Sequence, residues 1–422
     1  MSTEIVFVHG RRVWDSRGRP TVEAEIVLGG GAVGRAIAPA GASRGAAEAI
    51  DLRDGGESFA GLDVGRALAS INGEIAATLT GTDGADQAGL DAALARLDGT
   101  ENFARLGANA TIAVSMAAAH AAAGEAGVPL YRHLGGEEAS TLPLPMIQIF
   151  GGGAHAGRRL DVQDFLVVCP AARSFAEALD ITAEVYRAAG DILAAAGRRQ
   201  GVADEGGWWP DFASHEQALA TLVEAIDRAG FDPGSEVAIA LDIAASELGR
   251  DDQYRFGGAI LDRDAMVRTL AGWVENFPIV SIEDPLGEDD PEGYAALKQA
   301  TGIQIVGDDL LVSDAARIAA HKDALNAVLL KPNQRGTLSA LRAAWDETRK
   351  LGLAGIVSAR SGETEDTTIV HLAVGWNVGQ LKVGSMARGE RTAKWNEALR
   401  IEDAAGPRAR FAGAKSLAGW PR

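Results

Sequence analysis

Five short apolar runs each stop on a charged residue: Val237-Ala-Ile-Ala-Leu-Asp242, Ile279-Val-Ser-Ile-Glu283, Ile303-Gln-Ile-Val-Gly-Asp308, Ala327-Val-Leu-Leu-Lys331 and Val378-Gly-Gln-Leu-Lys382. Runs of this length, rich in Val, Ile and Leu and separated by helix-like stretches, predict buried parallel strands. Closed into a barrel, such strands bring their C-terminal ends to one mouth. That mouth then holds three carboxylates and two amines. Three carboxylates make a hard oxygen cage suited to Mg2+. Lysines beside the cage can supply a base and neutralise an anionic substrate. Taken singly, strand-end acids also fit helix capping and strand-end lysines also fit snorkelling. Their coincidence at one mouth favours a site.

Upstream of these runs, Thr21 to Leu28 alternates, with Val22, Ala24 and Ile26 on one face and Thr21, Glu23 and Glu25 on the other. This predicts a half-buried antiparallel strand. Gly29-Gly30-Gly31 reads as a turn and Ala32 to Ala38 as a return strand. Helical patterns run from about Gly61 to Gly127, so the first third reads as an α+β domain. The pattern breaks between Leu134 and Pro143, after which strand-like and helix-like segments alternate. The expected division is residues 1–136 and 137–422, and the expected class is α/β.

The 422 residues carry a formal net charge of −18, which argues against nucleic acid or an acidic membrane as partner. A phosphorylated substrate then needs a local cluster of cations. The single cysteine, Cys169, lies in an apolar run and reads as core, and the absence of a cysteine pair fits a reducing cytoplasm. Met1 to Ile5 shows no basic stretch leading into an apolar core, so no signal peptide is expected. The Ala-rich stretch Leu106 to Gly127 contains Asn109, Thr111, Ser115 and His120. It is too polar for a membrane span and reads as a buried helix, with His120 a core histidine.

Several motifs, in one order and spacing, resemble the enolase family over nearly the whole chain. They are Asp15-Ser-Arg-Gly-Arg-Pro-Thr-Val-Glu23, Pro39-Ala-Gly-Ala-Ser-Arg-Gly45, Leu106-Gly-Ala-Asn-Ala110, Asp204-Glu-Gly-Gly207, Ser281-Ile-Glu-Asp-Pro285, Gly307-Asp-Asp309, Ser361-Gly-Glu-Thr-Glu-Asp366 and Arg400-Ile-Glu402. The resemblance implies the enolase fold: an N-terminal α+β cap followed by a variant β/α barrel, with the site at the strand C-termini. It implies a Mg2+-dependent lyase, a homodimer or larger homo-oligomer, that abstracts a proton next to a carboxylate of a small phosphorylated substrate. Asp242, Glu283 and Asp308 match the ligands of the first Mg2+, and Ser43 matches a loop ligand of a second, substrate-dependent Mg2+. Lys331 matches the general base, expected to have a pKa lowered by Lys382 and metal, and Lys382 matches the amine that stabilises the charge formed. Glu205 matches the acid at the leaving hydroxide. Asp164 stands where the family has a partner glutamate, one methylene longer. His155, Gln163, Glu283, Arg360 and Ser361 match substrate-binding positions, the last two at the phosphate.

The sequence departs from the family at Ala359 (a histidine in the family), Ala40 (serine), Gly151 (asparagine), Ala154 (serine) and Ala203 (glycine). Trp208-Trp209 adds bulk after the Glu205 loop, and Pro332 follows Lys331. The expected reaction is dehydration of 2-phosphoglycerate or a close analogue, with altered substrate or leaving group. The alternatives are a paralogue making a carboxyphosphonoenolpyruvate-type product in phosphonate biosynthesis, and a non-catalytic binding protein.

Overall fold

The computed structural model describes residues 2–250 and 253–420; Met1, Asp251, Asp252, Pro421 and Arg422 lie outside the described residues. The chain opens with an antiparallel meander of β1 (Ile5–Trp14), β2 (Pro20–Leu28) and β3 (Val33–Ile37). Val22, Ala24 and Ile26 of β2 are fully buried, as the alternation predicts. The sequence reading did not anticipate β1. Its Val6, Phe7 and Trp14 point to solvent and blur the period-two pattern.

Helices α1 (Gln87–Asp98) and α2 (Ala108–Ala126) follow. The expected buried Ala-rich helix is α2, which lies against β2 and β3. Small side chains let the backbones approach closely. A Cβ on Gly34 of β3 would sit 2.0 Å from the Ala117 carbonyl oxygen, so that position must be glycine. His120 is half-buried and its Nε2 lies 2.9 Å from Thr368 Oγ1, which ties the cap to the barrel.

The barrel has eight strands: β4 (Leu144–Gly151), β5 (Asp164–Val168), β6 (Ala238–Asp242), β7 (Ile279–Glu283), β8 (Gln304–Gly307), β9 (Ala327–Leu330), β10 (Ala354–Ser358) and β11 (Gln380–Gly384). All pairs from β6 to β11 are parallel, and β11 closes the ring on β4 in parallel. Strand β5 runs antiparallel to both neighbours, β4 and β6. The five charged-ended runs are therefore parallel neighbours, except that β10 separates the last two.

Helices α3 (Phe175–Ala195), α4 (His215–Arg228), α5 (Arg263–Asn276), α6 (Pro291–Thr301), α7 (Ala315–His321), α8 (Leu338–Lys350), α9 (Thr368–Gly375) and α10 (Gly389–Ala405) lie in the barrel half. Side chains of Ser174, Ser214, Asp262, Asp290, Asp314 and Thr337 accept the first backbone N–H groups of α3 to α8. The matched Glu402 also caps α3, accepting from Phe175 N at 2.8 Å and Ala176 N at 3.0 Å. Cys169 is buried, with Sγ 3.5 Å from Thr182 Oγ1, and burial pushes its thiol up to about 12. That is a core residue and an inert thiol. Among the described residues no helix is long and apolar enough to cross a membrane.

Apolar side chains from alternate strand positions, including Leu144, Met146, Leu166, Ala240, Val306, Leu329 and Ile356, fill the barrel. Below them lies a neutral polar lattice. Gln304 Nε2 donates to Ser281 Oγ (3.0 Å) and Gln380 Oε1 (2.9 Å), and Gln380 Nε2 returns a bond to Gln304 Oε1 (2.9 Å). Residues 413–420 close this end: Gln380 Nε2 donates to the Ser416 carbonyl at 2.8 Å, Ala418 N donates to Gln304 Oε1 at 3.1 Å, and Leu417 packs into the apolar cluster.

Candidate active site

The opposite end of the barrel gathers charge. Asp242 and Glu283 are the last residues of β6 and β7, Asp308 and Lys331 follow β8 and β9, and Lys382 lies in β11. All five are buried. Lys382 Nζ donates to Asp242 Oδ2 and to Glu283 Oε2, both at 2.7 Å, and lies 3.5 Å from Asp164 Oδ2. Burial opposes its charge, but these carboxylates outweigh it and hold the ammonium well above its ordinary pKa. Lys331 Nζ donates to Asp308 Oδ2, and Gln334 Nε2 donates to the other Asp308 oxygen at 2.9 Å.

Lys382 and metal together are expected to lower the Lys331 pKa; the protein's own groups by themselves shift it upward. Burial is the largest influence and lowers it, but the Asp308 and Glu283 carboxylates together outweigh burial, and the net shift is upward. Arg360 and Lys382 push the other way and lose to the direct ion pair.

The donor set fits a hard divalent cation. Glu283 Oε1 is buried and accepts no hydrogen bond. Burial and the neighbouring Asp242 raise the Glu283 pKa well above the usual carboxylate range. An uncompensated oxygen among mutually repelling carboxylates suits Mg2+. Among the described residues, two buried groups offer ligand atoms within 4.8 Å of one another: His155 with Asp164 and Glu205, and Asp284 with Asp308 and Asp309. Asp242, Glu283 and Asp308 do not form such a group; Lys382 stands between the first two.

Behind the carboxylates, Asp284 adopts a left-handed backbone at φ 40°. It accepts from Asp308 N (2.8 Å), Asp309 N (2.9 Å) and Tyr294 Oη (2.8 Å), which fixes the loop that presents Asp308. Three good bonds offset a strained conformation.

Arg360 and Ser361 follow β10 on one side of the same cavity. The guanidinium is held by Glu48 (Nη1 to Oε2, 3.0 Å), Asn333 Oδ1 (3.1 Å) and the Ser43 carbonyl (2.9 Å). Ser361 Oγ accepts from Ala42 N at 2.7 Å. So the loop that carries Ser43 is stitched to the arginine that faces the cavity. From below, the buried Arg391 of α10 donates to the carbonyls of Arg360 (2.7 Å) and Val383 (2.9 Å).

On the other side stand Glu205, Asp164 and His155. His155 Nδ1 lies 3.3 Å from Asp164 Oδ1, and Nε2 lies 3.9 Å from Glu205 Oε1. Burial disfavours the imidazolium, but Glu205 and Asp164 outweigh it and raise His155 to about 9. Burial raises Asp164, but His155 and Lys382 bring it down to about 2. The shorter Asp164 side chain thus still reaches His155. Gln163 Nε2 donates to Asp242 Oδ2 at 3.1 Å. The residues lining the cavity include Ser43, His155, Gln163, Asp164, Glu205, Asp242, Lys331, Arg360, Ser361 and Lys382. Glu283 and Asp308 reach it only through their lysine partners.

Family comparisons match this geometry. The sequence family described as "Enolase, N-terminal domain" matches residues 5–134, and "Enolase, C-terminal TIM barrel domain" matches residues 139–419. The chain is 49% identical over 417 residues to Enolase 1 of Desulfitobacterium hafniense (strain Y51), covering 97% of this chain and 95% of that one. The chain belongs to the enolase family. It is an enolase-family lyase on a closed α/β barrel.

Most departures from the enolase pattern have a visible local setting. Ala359 is buried in the cavity wall, its N–H donating to the Lys382 carbonyl at 2.9 Å. Ala40 pairs by its backbone with Gly362, in both directions at 2.9 Å, so its side chain is not needed there. Gly151 and Ala203 are coupled: a Cβ on residue 151 would lie 2.5 Å from the Ala203 Cβ. Pro332 opens the short helix Pro332–Arg335, where a missing N–H costs nothing. Trp208 places its bulk outside the cavity lining. It stacks on Tyr186 with ring centroids 4.8 Å apart, and its Nε1 donates to the Tyr186 carbonyl at 2.9 Å. Trp209 lies against Gly157, outside the cavity lining. Nothing in the structure explains Ala154.

Sequence reasoning missed Glu48, Gln148, Asp284, Asn333, Gln334 and Arg391. None of them ends an apolar run, and most act on another side chain rather than on the cavity. Asp284 alone carried a signal, since it sits beside Glu283 within a matched motif.

Proposed function

We propose that this enolase-family lyase removes water from 2-phosphoglycerate, or a close phosphorylated analogue, to give an enolpyruvyl product. The reading is supported by one observation above all: two buried lysines, strand-end carboxylates and Arg360 meet around a single cavity. Lys331 would take the proton next to the substrate carboxylate, a role that requires its amine, which donates to Asp308 Oδ2, to be released and neutral. Lys382 stabilises the charge that develops. Glu205, with Asp164 beside it, assists departure of hydroxide from the neighbouring carbon. Arg360 and Ser361 bind the phosphate, and His155 and Gln163 line the substrate. Mg2+, when bound, neutralises the substrate carboxylate and the doubly charged intermediate. Asp242, Glu283 and Asp308 would hold the first ion, and Ser43 would help hold a second with the substrate.

We assign residues 1–136 to the cap domain and 137–422 to the barrel, and expect a cytoplasmic homodimer or larger homo-oligomer. The test is formation of phosphoenolpyruvate from 2-phosphoglycerate with Mg2+. Steady turnover is expected, and none at saturating substrate overturns the reading.

One observation favours a second reading, in which the substrate or leaving group differs, as in a phosphonate pathway. Ala359 leaves a methyl in the cavity wall where the family has an imidazole. If that loss limits hydratase activity, Ala359→His raises turnover of 2-phosphoglycerate. An unchanged or lower rate removes the vacancy as the cause.

A further inference from the structure

Gln148 lies in β4, is fully buried, and faces the acid side of the site without lining its cavity. Its amide bridges two elements. Nε2 donates to Asp164 Oδ1, and Oε1 accepts from Gly207 N at 2.8 Å. The two partners fix the amide's orientation, because a backbone N–H can only donate and an ionised carboxylate can only accept. Gly207 is two residues beyond Glu205. Asp164 in turn meets His155 Nδ1 at 3.3 Å, and His155 Nε2 faces Glu205 at 3.9 Å. The contacts therefore close a ring: Gln148, Asp164, His155, Glu205 and back through the loop to Gln148.

The space for this amide is cut by backbone. A Cβ on Gly207 would lie 2.4 Å from Gln148 Oε1, and a Cβ on Gly151 would lie 3.5 Å from the amide and 2.5 Å from the Ala203 Cβ. One departure from the family pattern, Gly151, thus falls beside this side chain, and a second, Ala203, packs against Gly151. The third is Asp164 itself, one methylene shorter than the family's glutamate.

We propose that Gln148 is a positioning residue that sets the separation of Asp164 and the Glu205 loop, and so the placement of His155 between them. It fills the reach that the shorter Asp164 gives up. A neutral amide is suited to this work, since it adds two directional bonds and no charge to a site already dense with charge. This inference rests on the reading that Glu205 and Asp164 act at the leaving group.

The test is Gln148→Leu, which keeps the bulk and removes both bonds. With 2-phosphoglycerate, kcat should fall by about 10- to 100-fold, the scale of a misplacement of about 1 Å, while KM stays within about twofold. In the ligand-free protein with 15N-labelled histidine, the His155 Nδ1–H proton should lose its protection from exchange. An unchanged kcat, a loss confined to KM, or an unmoved His155 signal overturns the proposal. If the unsubstituted protein does not turn over 2-phosphoglycerate, the functional reading fails, and the histidine signal still decides the positioning role. Should Gln148→Leu not fold, the length exchange carries the test. Gln148→Asn combined with Asp164→Glu should recover at least about fivefold over Gln148→Asn alone, and additive losses overturn the idea.

Discussion

The two ends of the barrel are built from the same strands and opposite chemistry. At the closed end, Ser281, Gln304 and Gln380 are neutral and bonded to one another and to the segment 413–420. At the mouth, Asp242, Glu283, Asp308, Lys331 and Lys382 are buried and charged, and Glu283 Oε1 has no hydrogen bond at all. A satisfied amide lattice contributes stability, whereas a crowd of buried charges is costly and marks a candidate site of chemistry. On the proposed function, stability and activity separate along the barrel axis.

The sharpest way to break that contrast is Lys331→Ala. We expect kcat to fall by about 10^2- to 10^4-fold, measured as phosphoenolpyruvate formation, with the fold retained by circular dichroism. A minor loss of activity would remove Lys331 from the chemistry. Next in size is Gln380→Leu at the closed end. It leaves Gln304 and the Ser416 carbonyl short of a partner, and urea unfolding should show a loss of about 1–3 kcal/mol with kcat nearly unchanged. A matching fall in kcat would show that the two ends are not independent.

A further contrast is a pH dependence at the mouth that the closed end lacks. His155 has its pKa raised to about 9 in the folded protein, against about 6.5 unfolded. A raised pKa means that the folded state binds the proton more tightly. Its stabilising contribution is complete below pH about 6.5 and is lost as pH rises through about 9. Thermal unfolding of the metal-free protein should weaken over that window, and His155→Gln should flatten the slope. An equal slope in the variant would assign it to other groups.

The barrel was legible because its strand runs are apolar, short and ended by charge, a pattern that reports burial on both faces. The reversed direction of Asp164–Val168 was not, since an apolar run carries no sign of its neighbours' polarity. The strand Ile5–Trp14 was missed because exposed Val6, Phe7 and Trp14 imitate a buried face. At the mouth, charged residues stood out, and family resemblance supplied roles for them. Gln148 and Asn333 did not stand out, because an amide acquires meaning only from what lies across space. The upward shift that the protein's own groups give Lys331 was hidden for a related reason: spacing in the chain gives no distance to Asp308.

Arg360 takes two of its partners, Glu48 and Ser43, from segments more than 300 positions earlier in the chain. Neither half of the polypeptide is thus a module that evolution or an engineer can exchange freely. A chimera with a foreign N-terminal half inherits a guanidinium whose supporting oxygens have been redesigned elsewhere, so both halves can fold correctly and the hybrid still fail to grip an anion.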